Sequence, residues 1–171
     1  DSANSSQKPK VVIDRISNFY ETEYSNVGRS VHSLAVKATN RFEATRDLVK
    51  KYMNAAHREE IIFTKGATES INLVASTYGK KHINEGDEIL ITELEHHSNY
   101  VPWHFLRSEK GAVIKFASVN ENGDVEIDEI KKLISNKTKI IAITHISNVT
   151  GAVLPIKQIV DLAKDKNFPA L

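Results

Sequence analysis

The run Ile89-Leu90-Ile91, followed closely by Glu95-His96-His97-Ser98-Asn99, decides how this chain folds. Consecutive aliphatic residues bounded by polar ones read as a strand buried on both faces. A histidine just past such a strand lies where open α/β sheets place their ligands, in the crevice outside the carboxyl ends of the strands. The same pattern recurs on either side. Ile61-Ile62-Phe63 leads into Thr64-Lys65-Gly66-Ala67-Thr68-Glu69, and Ile140-Ile141-Ala142-Ile143 leads into His145-Ile146-Ser147-Asn148. If the three strands share one sheet, the three polar clusters converge on one crevice.

Outward from this centre the chain alternates. Strands are predicted at Glu60–Thr64, Glu88–Thr92, Ala112–Ala117 and Lys139–Thr144. Helices are predicted at Ala67–Tyr78, Ser98–Glu109, Glu129–Ser135 with Asp128 as N-cap, and Pro155–Lys164 with proline in its first turn. Repeated strand–helix units with β-branched strands imply an α/β fold of three layers, a mostly parallel sheet covered on both sides. Before the alternation come a short helix from Pro9 to about Tyr20 and a polar loop from Ser25 to Ser33. A long amphipathic helix follows, marked by Leu34, Ala38, Phe42, Leu48, Val49 and Tyr52.

The composition is that of an ordinary globular chain: 171 residues, 40% hydrophobic and 26% charged, with a net charge of +1. Such a charge gives no general field for nucleic acid or anionic lipid. No apolar run reaches the roughly 18 residues of a membrane span. Cysteine is absent, which excludes disulfides and thiolate metal sites within these residues. The chain starts at Asp1 inside what reads as a motif and stops at Phe168-Pro169-Ala170-Leu171, where a new strand would begin. It therefore reads as an internal fragment of a longer protein.

Each cluster has two readings. Gly66-Ala67-Thr68 opens a helix, where free N–H groups, the helix dipole and a hydroxyl favour an anion such as phosphate. The same residues also make a plain capped helix start. His96 and His97 could be metal ligands, acid–base groups or a platform for a flat ring, or they could cap the next helix, the reading preferred for His97. No zinc-type spacing accompanies them. Asn148 either donates its amide to a phenolate or carbonyl oxygen or forms a turn before Gly151. Arg29, between Gly28 and Ser30, either recognises a carboxylate or is simply solvated.

Read together, the motifs carry a resemblance. In order stand Asp1-Ser2-Ala3, Ser6-Gln7-Lys8-Pro9, Asn26-Val27 with Arg29 and Val31-His32, Glu60–Thr64, Gly66–Ala75, Gly86-Asp87-Glu88-Ile89, Glu95–Asn99 with Pro102-Trp103, and His145–Val149 with Gly151. The ordered set resembles the SUF-type cysteine desulfurases of the class V aminotransferase family, which depend on pyridoxal 5'-phosphate (PLP). The resemblance covers essentially the whole chain. It implies the fold-type I large domain, incomplete here, with residues 1–33 as N-terminal helix and active-site loop and 34–171 as part of the PLP-binding domain. It implies that Ala67 and Thr68 hold the cofactor phosphate, and that His96, the catalytic residue, stacks on the pyridine ring. Asn148 would bond the ring's 3-oxygen and Arg29 would position the substrate, L-cysteine. It further implies a homodimer, a sulfur-acceptor protein, a role in iron–sulfur cluster assembly and a cytoplasmic location, with no nucleic acid, membrane or metal.

The chain departs from the family in two places. Gly28-Arg29-Ser30 stands where the family has His-Arg-Gly, and Ala3-Asn4-Ser5 where it has Ala-Ala-Thr. The family's pyridine-nitrogen aspartate, Schiff-base lysine, catalytic cysteine and carboxylate-binding arginine are expected beyond Leu171, so the fragment alone should be inactive. The alternatives are another class V enzyme (an aminotransferase, selenocysteine lyase or kynureninase-like hydrolase) or a non-catalytic assembly fragment.

Overall fold

The computed structural model describes residues 4–29 and 31–171. The motif at Asp1–Ala3 and the position Ser30 lie outside the described residues. The chain divides into two compact units, Asp1–Phe63 and Thr64–Leu171, so the boundary expected at 33/34 falls inside the first.

The first unit is helical, with α1 at Lys10–Thr22 and α2 at Ser33–Met53. His32 caps α2 by accepting the Ala35 N–H on its ring, and Asn54 ends it in the left-handed conformation. The stripe expected on α1 is exposed at Val12, Ile16 and Tyr20, and on α2 only Ala35 and Ala38 are buried. Glu23, 8% exposed, gathers Arg15, Lys37 and Arg41 around its carboxylate. The Arg46 guanidinium lies over the rings of Phe42 and Phe63.

The strand expected at Glu60–Thr64 does not form. Arg58–Glu60 is a single 3-10 turn, and Ile61 to Thr64 run on without a ladder. The Ile61 carbonyl is taken by the Arg46 side chain rather than by a neighbouring strand. An apolar run becomes a strand only where another strand meets its backbone.

The second unit holds the sheet. Helix α3, Ala67–Val74, continues through a π turn at Ala75–Gly79 into α4, Lys80–His82. Then follow β1 (Glu88–Thr92), a 3-10 turn at His97–Asn99, α5 (Val101–Lys110), β2 (Val113–Ala117), α6 (Ile127–Leu133), β3 (Thr138–Ile141) and α7 (Ile156–Asp165). The strands are parallel in the order β2-β1-β3, with Glu88 opposite Val113 and Leu90 opposite Ile141. Pro169–Leu171 come alongside β3, the Ile141 N–H donating to the Pro169 carbonyl and the Leu171 N–H to the Ile141 carbonyl. A new strand was expected at this point, and the pairing is parallel.

Alternation along the strands separates two cores and makes the three layers. Ile89, Ile91, Ile140 and Ala142 pack with Trp103 and Leu106 of α5, while Ile71, Val74 and Tyr78 of the α3 run lie against them. Leu90, Ile141 and Ile143 pack on the other face with Ile130 of α6 and Ile159 of α7. The expected cap at Asp128 is displaced: Glu126 is the N-cap of α6, and Asp128 sits in its first turn, 2.8 Å from Lys131.

Candidate active site

β1 and β3 are neighbours whose chains leave in opposite directions. After β1 the chain crosses one face through α5 to reach β2; after β3 it crosses the other through α7 and returns beside β3. Between two such strands an open α/β sheet leaves its ligand crevice.

The loop leaving β1 is fastened to both neighbours. Glu93 accepts the Val119 N–H at 2.9 Å, on the β2 side. Glu95 faces the other way: its Oε1 accepts the Thr144 N–H at 2.9 Å and the Thr92 hydroxyl at 2.7 Å. Its Oε2 accepts the Asn99 amide at 2.7 Å, and the Asn99 Oδ1 in turn accepts the indole N–H of fully buried Trp103 at 3.1 Å.

His96 follows Glu95 directly and is exposed. Its Nδ1 accepts the Ser98 N–H at 3.2 Å and lies 2.9 Å from the Ser98 hydroxyl. A neutral ring that accepts at Nδ1 carries its proton on Nε2. Helix capping, assigned above to His97, is thus performed by His96, because its extended backbone turns the ring back on the 3-10 turn. His97 is exposed, edge-on to the His96 ring.

Helix α3, which begins with Ala67 and Thr68, packs against that 3-10 turn. Gly66 is its N-cap and offers no side-chain cap. The first helical N–H taken internally is that of Ser70, by the Gly66 carbonyl; those of Ala67, Thr68 and Glu69 meet no acceptor among the described residues. Glu69 accepts the Lys65 N–H instead, at 2.6 Å. Its chain neighbours aside, no atom among the described residues lies within 4 Å of where a Cβ on Gly66 would stand, so the helix start is open there. Open, unpaired N–H groups at a helix start fit a phosphate.

Asn148 is exposed in the turn after β3, its amide unpaired among the described residues. Ser147, 3% exposed, shapes that turn by accepting the Val149 and Thr150 N–H groups on its hydroxyl, each at 3.3 Å. Arg29 is exposed in a bend of the first unit, next to Gly28, whose N–H donates to the Thr39 hydroxyl. Among the described residues no three His, Asp or Glu side chains gather as metal ligands. No helix among them is long and apolar enough to cross a membrane.

Sequence reasoning passed over Glu95, Asn99 and Ser147 as working residues. The available signal for the first two was their spacing with Trp103, at i, i+4 and i+8, which lines one helical face. Ser147 gave none.

The fold is that of part of the large domain of fold-type I PLP enzymes. The structure matches the apo structure of cysteine desulfurase from Thermococcus onnurineus with a TM-score of 0.93 at 33% identity, over 99% of this chain and 42% of that one. It matches an Escherichia coli cysteine desulfurase in the S-sulfonic acid form with a TM-score of 0.86 at 33% identity, over 100% and 43%. The chain belongs to the aminotransferase class-V family, whose profile matches residues 1–170. It is 48% identical over 163 residues to a cysteine desulfurase of Synechococcus elongatus, covering 95% of this chain and 26% of that protein. A probable cysteine desulfurase of Halalkalibacterium halodurans is 45% identical over 163 residues, covering 95% and 40%. The chain thus spans well under half the length of these relatives.

Proposed function

We propose that the full-length protein is a PLP-dependent cysteine desulfurase, converting L-cysteine to L-alanine and leaving the sulfur as a persulfide on the enzyme. The observation that carries the reading is helix α3, with N–H groups at its start unpaired among the described residues, packed against the 3-10 turn that His96 caps after β1. The naming of its relatives supports the reaction, and the structure of SspA in complex with cysteine, similar at a TM-score of 0.88 and 26% identity, supports the substrate.

The residues present fit the cofactor. Ala67 and Thr68 offer backbone N–H groups and a hydroxyl to the phosphate. His96 offers a ring face, with Nδ1 already engaged by Ser98 and the Nε2 proton free to be shared. Asn148 offers an amide N–H to the 3-oxygen, while the assignment of Arg29 to the substrate carboxylate rests on the family resemblance alone. Bound there, PLP supplies an electron sink for the substrate's α-carbon. Sulfur removal also needs a thiolate to attack the substrate sulfur. These 171 residues contain no cysteine, so on this reading the thiol is supplied by another part of the full-length protein. A homodimer, a sulfur-acceptor partner feeding iron–sulfur cluster assembly, and a cytoplasmic location belong to the same reading.

The test uses the full-length protein. PLP absorbance should survive dialysis, and L-cysteine should yield alanine and enzyme persulfide in equal amounts. Retention of PLP with amino-group transfer and no persulfide would replace desulfuration by transamination. A protein that retains no PLP would end the reading.

A further inference from the structure

Three donors converge on the Glu95 carboxylate: the Thr92 hydroxyl, the Thr144 N–H and the Asn99 amide. The pattern demands a group that only accepts. Asn99 cannot be turned around, since its Oδ1 is held by the indole N–H of Trp103, a donor only, in a site where Asn99 is 7% and Trp103 0% exposed. The direction of every bond is therefore set from the buried indole outward, and Glu95 closes the series across to the β3 side. His96 lies between Glu95 and Asn99, so the backbone that carries its ring is clamped before and behind. None of the chemistry assigned above uses Glu95.

We propose that Glu95 is a positioning residue: through Thr144 and Asn99 it fixes the backbone from which His96 presents its ring. The proposal rests on the cofactor reading of His96 given above. Glu95→Gln alone would set an amide N–H against the Asn99 N–H, and Asn99→Asp alone would set a second carboxylate against that of Glu95. Both changes together restore every bond. The amide introduced by Glu95→Gln would then donate to one oxygen of the carboxylate introduced by Asn99→Asp, and its own oxygen would still accept from Thr92 and Thr144. The other oxygen of the new carboxylate would accept from Trp103.

The experiment compares Glu95→Gln, Asn99→Asp and the double variant in the full-length protein. It measures the PLP dissociation constant, the circular dichroism of bound PLP and the melting temperature. In the cofactor-free protein, nitrogen–proton correlation spectra read the His96 tautomer. Each single variant should weaken PLP by about tenfold, the scale of one charge-assisted hydrogen bond, reduce the dichroism, and replace the single Nε2–H tautomer by an average. The double variant should return all three to wild-type values. Single variants indistinguishable from wild type would overturn the proposal. So would a double variant that regains its melting temperature but neither the dichroism nor the tautomer. If the single variants do not fold, the double decides by the same readouts. If the wild-type protein binds no PLP, the functional reading fails, and the His96 tautomer in the cofactor-free variants still judges Glu95.

Discussion

On the proposed cofactor reading, Thr68 and His96 would contribute differently to holding PLP. The Thr68 hydroxyl adds one donor to a helix start whose backbone N–H groups remain when it is removed. Thr68→Ala should therefore raise the PLP dissociation constant, by about 1–3 kcal/mol if the bond is charge-assisted, and leave kcat nearly intact. His96→Ala removes a ring face, about 0.5–1.5 kcal/mol of stacking, and with it the Nε2 proton. It should weaken retention and also slow turnover. Absorbance after dialysis and steady-state kinetics separate the two, and equal PLP retention by wild type and both variants would refute the assignments. The position of His96 could be read from the sequence because a strand end is a local pattern. Of the bonds Glu95 makes, that to Asn99 had a local spacing to announce it, whereas that to Thr144, 49 residues away, had none.

At the scale of elements, the α3 run and α5 approach closely at Gly79. A Cβ there would stand 2.6 Å from Leu106 Cδ1, so the buried Leu106 side chain, 1% exposed, would have to shift to admit it. Alanine gains about 1 kcal/mol of helix propensity over glycine, but overpacking costs about 1–3 kcal/mol. Gly79→Ala should thus lower the melting temperature by a few degrees; an unchanged or higher value would mean the helices slide apart freely. The other end of the sheet is held by Glu88. Burial raises its pKa, but Lys115 at 2.7 Å, Ser135 at 2.6 Å and Thr138 at 3.1 Å outweigh burial and hold the carboxyl below its ordinary value. Its contribution is therefore full above the ordinary glutamate pKa and is lost as pH falls through the lowered one. Glu88→Gln should reduce stability at neutral pH and flatten the acid limb of the melting temperature; a wild-type acid limb would remove Glu88 from the account. These elements were unevenly legible. β1 and β3 follow from runs of aliphatic residues, and β2, Val113-Ile114-Lys115-Phe116-Ala117, from its β-branched and aromatic content. Ile61–Phe63 has the same composition yet forms no strand, because pairing is decided by a neighbour that local sequence cannot reveal.

At the scale of the whole sheet, Pro169–Leu171 turn β3 from an edge into an interior strand. Parallel pairing sends alternate amides to opposite sides. Ala142 donates to Leu90 of β1, whereas Ile141 and Ile143 donate to Pro169 and Leu171 at 3.1 and 3.0 Å. In the full-length protein all three amides should exchange slowly with solvent, as members of one interior strand. Leu171→Pro removes the N–H that bonds the Ile141 carbonyl and disturbs the register that presents the acceptors. The Ile141 and Ile143 amides should then exchange about five- to tenfold faster, as expected for losing one hydrogen bond each, while Ala142 stays protected by β1. Hydrogen exchange resolved by residue makes the comparison. Equal acceleration of all three amides would show that β3 depends on Pro169–Leu171 for its pairing with β1 as well. No acceleration would show that the bonds to residues 169 and 171 are not what protects this side of the strand. The alternating outcome would establish that the strand bearing the Asn148 loop is held independently from its two sides, with the β1 side, where Thr144 meets Glu95, retained when the other is weakened.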